Sequence, residues 1–235
     1  MNSNKLTKIF FWGVALILAL SFTGDKSSVC YKQNFKSKKS LNDFEFSQPE
    51  KWLLSEGKKG YALEFTGKSE GYKPPHRSPH TIGLIKEKKF KNFTLDVDLR
   101  QTGKEYGHRD MCIFFGFQDP AHFYYVHIAT KTDDHANNIF IVDGAPRTKI
   151  STKTNEGNDW GKNEDWNHVR VVREVESGKI EIYFKDMETP IMTATNAKFG
   201  EGAIGFGSFD DSGMIDNIQI VSDGCVDTES NFFPN

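Results

Sequence analysis

Six of the seven histidines fall in four short stretches that also gather tyrosine and arginine: Pro74 to His80, Glu105 to Asp110, His122 to His127, and Asp133 to Arg147. Imidazole and phenol groups exchange protons, and a guanidinium grips a carboxylate or sulfate in a fork. Together these residue types suit acid–base chemistry on an anion. Three prolines, Pro74, Pro75 and Pro79, stiffen the backbone around His76, Arg77 and His80. Taken singly, each residue also has a structural explanation, because polar clusters serve structure as well as catalysis. Their recurrence is what demands a scaffold that brings separate stretches to one place.

That scaffold reads as strands. Phe93, Leu95, Val97 and Leu99 alternate with Thr94, Asp96, Asp98 and Arg100. Met111, Ile113, Phe115 and Phe117 alternate with Asp110, Cys112, Phe114, Gly116 and Gln118, and Tyr124, Val126 and Ile128 with Phe123, Tyr125 and His127. Period two with one apolar face marks a half-buried strand. Further strands are expected at 138–142, 168–174, 179–184, 203–209 and 216–221, separated by Asp119-Pro120, Asp143-Gly144 and Ser177-Gly178. Many short strands and no long amphipathic helix predict an all-β, two-sheet antiparallel jelly-roll sandwich over 42–221. The bulky faces would meet in the core, leaving Asp110, Phe114, Gln118, Tyr125 and His127 on one outer surface. A bulge would flip part of that set.

Composition narrows the function. Thirty Lys and Arg against 32 Asp and Glu give a formal charge of -2, so no basic excess points to nucleic acid. Lys5 and Lys8 precede the apolar run Ile9 to Leu20, too short to span a bilayer, and Ala19-Leu20-Ser21 offers a cleavage site. Residues 1–21 therefore read as an export signal to the periplasm or outside the cell, followed by an N-terminal segment (22–41) and a C-terminal tail (222–235). Lipid attachment at Cys30 is disfavoured because Ser27-Ser28-Val29 lacks the usual preceding pattern.

An exported chain can hold a disulfide, and domain termini often lie close, so Cys30–Cys225 is the expected pair with Cys112 a buried thiol. His76 and His80 could ligate a cation, but no matched triad accompanies them. A structural Ca²⁺ on Asp43, Glu45 and Asp216 is the more natural metal. No Glu-x-Asp-x-x-Glu strand supplies a hydrolase carboxylate pair; Asp96, Asp98 and Asp110 are the acidic residues nearest that role.

The stretches His76 to His80, Tyr106 to Asp110, Phe123 to His127, Ala145 to Thr148 and Gly205 to Asp211 resemble the concanavalin A-like lectin/glucanase superfamily, in particular secreted bacterial polysaccharide-degradation proteins of the ulvan oligosaccharide dehydratase type. The resemblance implies a sandwich over most of the chain and an acidic oligosaccharide or polysaccharide partner. The implied reaction is elimination on a uronate, needing no organic cofactor. Such a reaction needs a cation on the carboxylate, a base for the adjacent proton, and an acid for the departing oxygen. On that reading His127 is the base, Tyr125 the proton donor and His108 an alternative acid or base. Arg109 and Arg147 clamp the anion, and His76, Arg77, His80 and Asn138 contact sugar. Loss of a terminal hydroxyl as water is preferred over chain cleavage. A non-catalytic carbohydrate-binding protein and a glycoside hydrolase of the same fold are the alternatives.

Overall fold

A computed structural model describes residues 27–229 and 231–233. The expected export signal at 1–21 lies outside them. The strands run β1 (Ser28–Gln33), β2 (Phe44–Phe46), β3 (Trp52–Glu56), β4 (Tyr61–Phe65), β5 (Thr81–Ile85), β6 (Lys88–Phe90), β7 (Phe93–Gln101), β8 (Asp110–Asp119) and β9 (His122–Ala129). They continue with β10 (Asn138–Asp143), β11 (Thr148–Lys149), β12 (Ser151–Thr154), β13 (Asn167–Glu174), β14 (Lys179–Phe184), β15 (Met192–Thr195), β16 (Ala203–Ser208), β17 (Gly213–Ser222) and β18 (Cys225–Asp227). Among the described residues no helix is long and apolar enough to cross a membrane.

Two antiparallel sheets face each other. One has nine strands, in the order β12-β15-β14-β13-β7-β17-β4-β3, with β1 also paired to β17; the other has seven, β11-β10-β9-β8-β16-β5-β2. The predicted inward residues fill the space between them: Leu95, Val97 and Leu99 of β7 meet Met111, Ile113 and Phe115 of β8 and Tyr124, Val126 and Ile128 of β9. The fold is the all-β jelly-roll sandwich expected. It reaches beyond 42–221, because β1 joins the larger sheet through β17 and β18 pairs with β6.

The outer face of the seven-stranded sheet departs from expectation. Much of it is a second apolar layer of Ile82, Leu84, Cys112, Phe114, Phe117, Phe123, Tyr125, Phe140 and Val142, packed against Phe232 and the rings of Tyr72 and Phe233. Phe117 belongs to this layer and not to the inter-sheet core. Gly116 adopts φ +54 at a register shift in the β8–β9 ladder, and that bulge turns Phe117 to the opposite face from Phe115. Gln118 is thereby moved off the shared surface; its amide donates to the Gly116 and Glu201 carbonyls.

Three expected structural assignments separate in space. Asp43 accepts from Tyr31 and Gln33, Glu45 accepts from the Phe233 N–H at 2.8 Å, and Asp216 lies in β17 of the larger sheet, accepting from the Asn217 N–H. These carboxylates do not gather into the expected calcium site, because Asp216 lies in the opposite sheet from Glu45, whose strand Asp43 directly precedes, and each carboxylate is held by its own local hydrogen bonds. Asp96 and Asp98 sit on β7 in the larger sheet, tied to His168, Arg170 and Lys58, so they form no hydrolytic pair beside Asp110. Cys30 and Cys225 stand as neighbouring free thiols, where burial and then the Cys30 side chain push the Cys225 thiol up to about 11.

Candidate functional site

Where the second apolar layer ends, a hollow of about 310 Å³ opens at one end of the seven-stranded sheet. Its lining comes from six places in the chain: Arg77 and His80, Tyr106 and His108, Asp110, His127 and His135, Arg147, and Phe209 with Asp210. Alternation puts Asp110 and His127 there, since both lie on the outer face of β8 and β9. The rest arrive on loops: the segment before β5, the β7–β8, β9–β10 and β10–β11 connections, and the turn after β16. A rigid sheet thus supplies the floor and loops supply the rim.

Arg147 is the most strongly positioned cation. Its guanidinium lies between two rings, 4.7 Å from the Phe140 centroid and 4.5 Å from that of Phe209. Nη1 donates to the Tyr125 hydroxyl at 2.9 Å. No carboxylate pairs with Arg147 or Arg77 among the described residues. Two guanidinium groups therefore reach one small hollow without a direct ion pair among the described residues, in a lining that also carries the Asp110 and Asp210 carboxylates.

The floor is a buried hydrogen-bond chain. The His127 ring bonds through Nε2 to the Asp110 carboxylate, and its Nδ1 faces the His135 carbonyl at 3.1 Å. Asp110 Oδ1 accepts from Ser208, and the Asp110 N–H donates to Asp211 at 2.9 Å. Tyr106 also donates to Asp211, at 3.0 Å. Burial, reinforced by Asp110, pushes the Asp211 carboxyl up to about 6.

The rim titrates differently. Burial and the Lys68 charge lower His80, which leaves its ring neutral and able to accept a proton near neutral pH. His108 is half exposed, with Nε2 bonded to Asp133 at 2.5 Å. Burial alone would raise Asp133, but the His135 backbone N–H and the His108 ring outweigh it and hold the carboxyl below its ordinary range.

Of the residues expected from sequence, Arg77, His80, His108, His127 and Arg147 share this hollow. Tyr125 does not touch it. The ring is fully buried, stacked on Phe140 at 5.2 Å, and acts on the hollow through Arg147 and an edge contact with Phe209. The His127–Tyr125 pair consequently does not straddle a space for substrate, and both His127 ring nitrogens are engaged by protein acceptors. Arg109 also fails as a clamp. It directly precedes Asp110 at the start of β8; its side chain turns the other way and donates to the Gln101 carbonyl and amide oxygen, the Gly161 carbonyl and Asn163.

Asn138 donates to the Asp133 and Ala136 carbonyls at 2.7 and 2.9 Å, pinning the loop that carries His135 to the rim. It positions the hollow without lining it. His76 lies outside the lining; its carbonyl accepts from Ser78. Sequence reasoning assigned no role to Tyr106, His135, Phe209, Asp210 or Asp211. The run Phe209-Asp210-Asp211, an aromatic and two acids at the exit of a strand, was the available signal.

No family model matches the chain, and no curated protein matches it by sequence. Solved structures do resemble its fold. The carbohydrate-binding module CBM66 from Bacillus subtilis superposes with a TM-score of 0.53 at 15% identity, covering 77% of this chain and 96% of that one. A protein of unknown function with a galectin-like fold, also from Bacillus subtilis, gives 0.54 at 12% identity over 86% and 99%. The winged bean acidic lectin, complexed with methyl-α-D-galactose, gives 0.52 at 13% over 82% and 98%. The sandwich described above is therefore of the lectin-like jelly-roll type, a fold shared by carbohydrate-binding domains.

Proposed function

We propose that the hollow receives the uronate end of an acidic oligosaccharide and that the chain acts on it by elimination. The observation that carries this reading is Arg147, a guanidinium fixed between two rings that forms no ion pair with a carboxylate among the described residues. Together with Arg77 it would take the sugar carboxylate in a fork, which acidifies the adjacent C–H. Neutral His80 removes that proton. A carbon–carbon double bond forms as the neighbouring C–O bond breaks, and His108, oriented by Asp133, delivers a proton to the departing oxygen. When that oxygen is a terminal hydroxyl, water leaves. Dehydration is preferred to chain cleavage because Phe114, Phe117 and Phe123 fill the sheet face next to the hollow, which suits a chain end better than a passing polymer. The expected export signal at residues 1–21 agrees with work on extracellular glycans.

A second reading, a non-catalytic binder, draws on one observation: both His127 nitrogens are engaged inside the protein, so the floor can be purely structural. One experiment separates the two. The chain lacking residues 1–21 is incubated with uronate-ended oligosaccharides, and new unsaturated-uronate absorbance is followed alongside product mass. Elimination is expected to give absorbance with loss of one water. Retention of the sugar without any product supports the binder, and scission with water gained supports a hydrolase; either result overturns the elimination reading.

A further inference from the structure

We propose that Asp110, Cys112 and His127 form a zinc-binding site at the floor of the hollow. Asp110 and Cys112 are two residues apart on β8 and share its outer face, and His127 stands directly across from Cys112 on β9. One ligand atom from each lies within 4.8 Å of the others. A tetrahedral zinc with bonds of 2.0–2.3 Å spaces its donors by roughly 3.5 Å, so a small movement of the side chains encloses the ion.

The histidine tautomer supports the assignment. His127 Nδ1 faces a carbonyl, which can only accept, so Nδ1 carries a hydrogen, while Nε2 meets the Asp110 carboxylate across a proton that the two share. A metal ion bound here would displace that proton. The surroundings match a metal ligand's outer support, in which the second imidazole nitrogen donates to a backbone carbonyl and the carboxylate is itself hydrogen-bonded. Here the His135 carbonyl and the Ser208 hydroxyl fill those roles.

The donor set selects the ion. One oxygen, one nitrogen and one sulfur suit zinc, whereas calcium and magnesium require oxygen and copper(I) favours sulfur alone. On binding, the Cys112 thiol proton and the proton shared by Asp110 and His127 leave to solvent. The carboxylate and thiolate then balance the two charges of the ion. Asp110 and His127 line the hollow, so three protein donors would leave a fourth position on its side, the arrangement of reactive and not purely structural zinc.

This assignment goes beyond the elimination reading and stands without it, and its test does not measure turnover. The chain lacking residues 1–21 is loaded with zinc, dialysed and weighed by native mass spectrometry, then titrated with Co²⁺ while thiolate-to-cobalt absorption is recorded. About one zinc per chain and a thiolate band are expected. Cys112→Ser removes the band and weakens binding at least tenfold, and His127→Gln does the same, with circular dichroism verifying the fold. A C30S/C225S chain retains both signals. Should Cys112→Ser not fold, the zinc stoichiometry of the C30S/C225S chain decides. A parent chain that keeps no zinc, or a thiolate band that disappears in C30S/C225S while surviving in Cys112→Ser, overturns the assignment.

Discussion

Replacing Arg147 by Met tests the anion reading most directly, because its two consequences can be worked separately. The first is stability. The Tyr125 hydroxyl is buried and loses its donor, which costs about 1–3 kcal/mol. Two ring contacts lose their cation, at about 0.5–1 kcal/mol each. Unfolding free energy should therefore fall by roughly 2–5 kcal/mol, a melting shift of about 4–20 °C for a domain of this size.

The second consequence concerns the ligand. A forked guanidinium–carboxylate contact contributes about 3 kcal/mol, so kcat/KM on a uronate-ended oligosaccharide should drop about 100-fold. Calorimetric Kd replaces kcat/KM if the protein only binds. Arg147→Lys keeps the charge without the fork, and its loss should be nearer tenfold. Tyr125→Phe separates the two effects: it removes the hydroxyl but not the guanidinium, so stability falls by about 1 kcal/mol while affinity changes little. A folded Arg147→Met variant whose kcat/KM or Kd stays within twofold of the parent would refute the anion site.

Asp211 makes a pH prediction with a definite sign. Its carboxyl lies at about 6 in the fold and lower in the unfolded chain, so the folded state holds that proton more tightly. The stabilisation is complete below the unfolded value and is lost as pH rises through about 6. The stability of the parent relative to Asp211→Asn should therefore increase by about 2 kcal/mol between pH 7 and pH 4, measured by urea unfolding; a constant difference would sink the assignment. At the other end of the sandwich, Cys30 and Cys225 should join in an oxidising compartment by exchange with a disulfide donor, which is reduced to its dithiol. The intact mass then drops by two hydrogens, and adding reductant lowers unfolding free energy by about 2–4 kcal/mol; an unchanged mass after oxidative export argues against the pair.

The faces of β8 and β9 were legible because strict alternation sorted Met111, Ile113 and Phe115 from Cys112 and Phe114, and Val126 from Tyr125 and His127. Phe117 escaped the pattern because a positive-φ glycine changes face without changing residue type. Arg109 follows from the same alternation: directly before outward-facing Asp110 its side chain turns the other way, where the Gln101 and Asn163 side-chain oxygens accept from its guanidinium. Tyr125 and His127 were placed on the correct face, but the sequence carries no sign of what covers it. Phe232 and the residue 66–80 region come from distant parts of the chain, and neither has a local periodicity that announces its packing. Loop-borne lining residues such as His135 and Asp210 were equally hard to place, since loop direction depends on tertiary contacts such as Asn138 to the Asp133 carbonyl.

The aromatic layer over the smaller sheet also assigns a task to the chain's last turn. Phe232 meets the Phe117 ring edge-on at 5.3 Å, and Phe233 does the same to Tyr72 at the same separation. These rings work like a stopper seated in a trough. A variant cut before Phe232 would bare the Phe117 and Tyr72 rings on the apolar layer they share with Phe123 and Tyr125. Residues far in sequence from every histidine thereby complete the cover over the outer face of the smaller sheet.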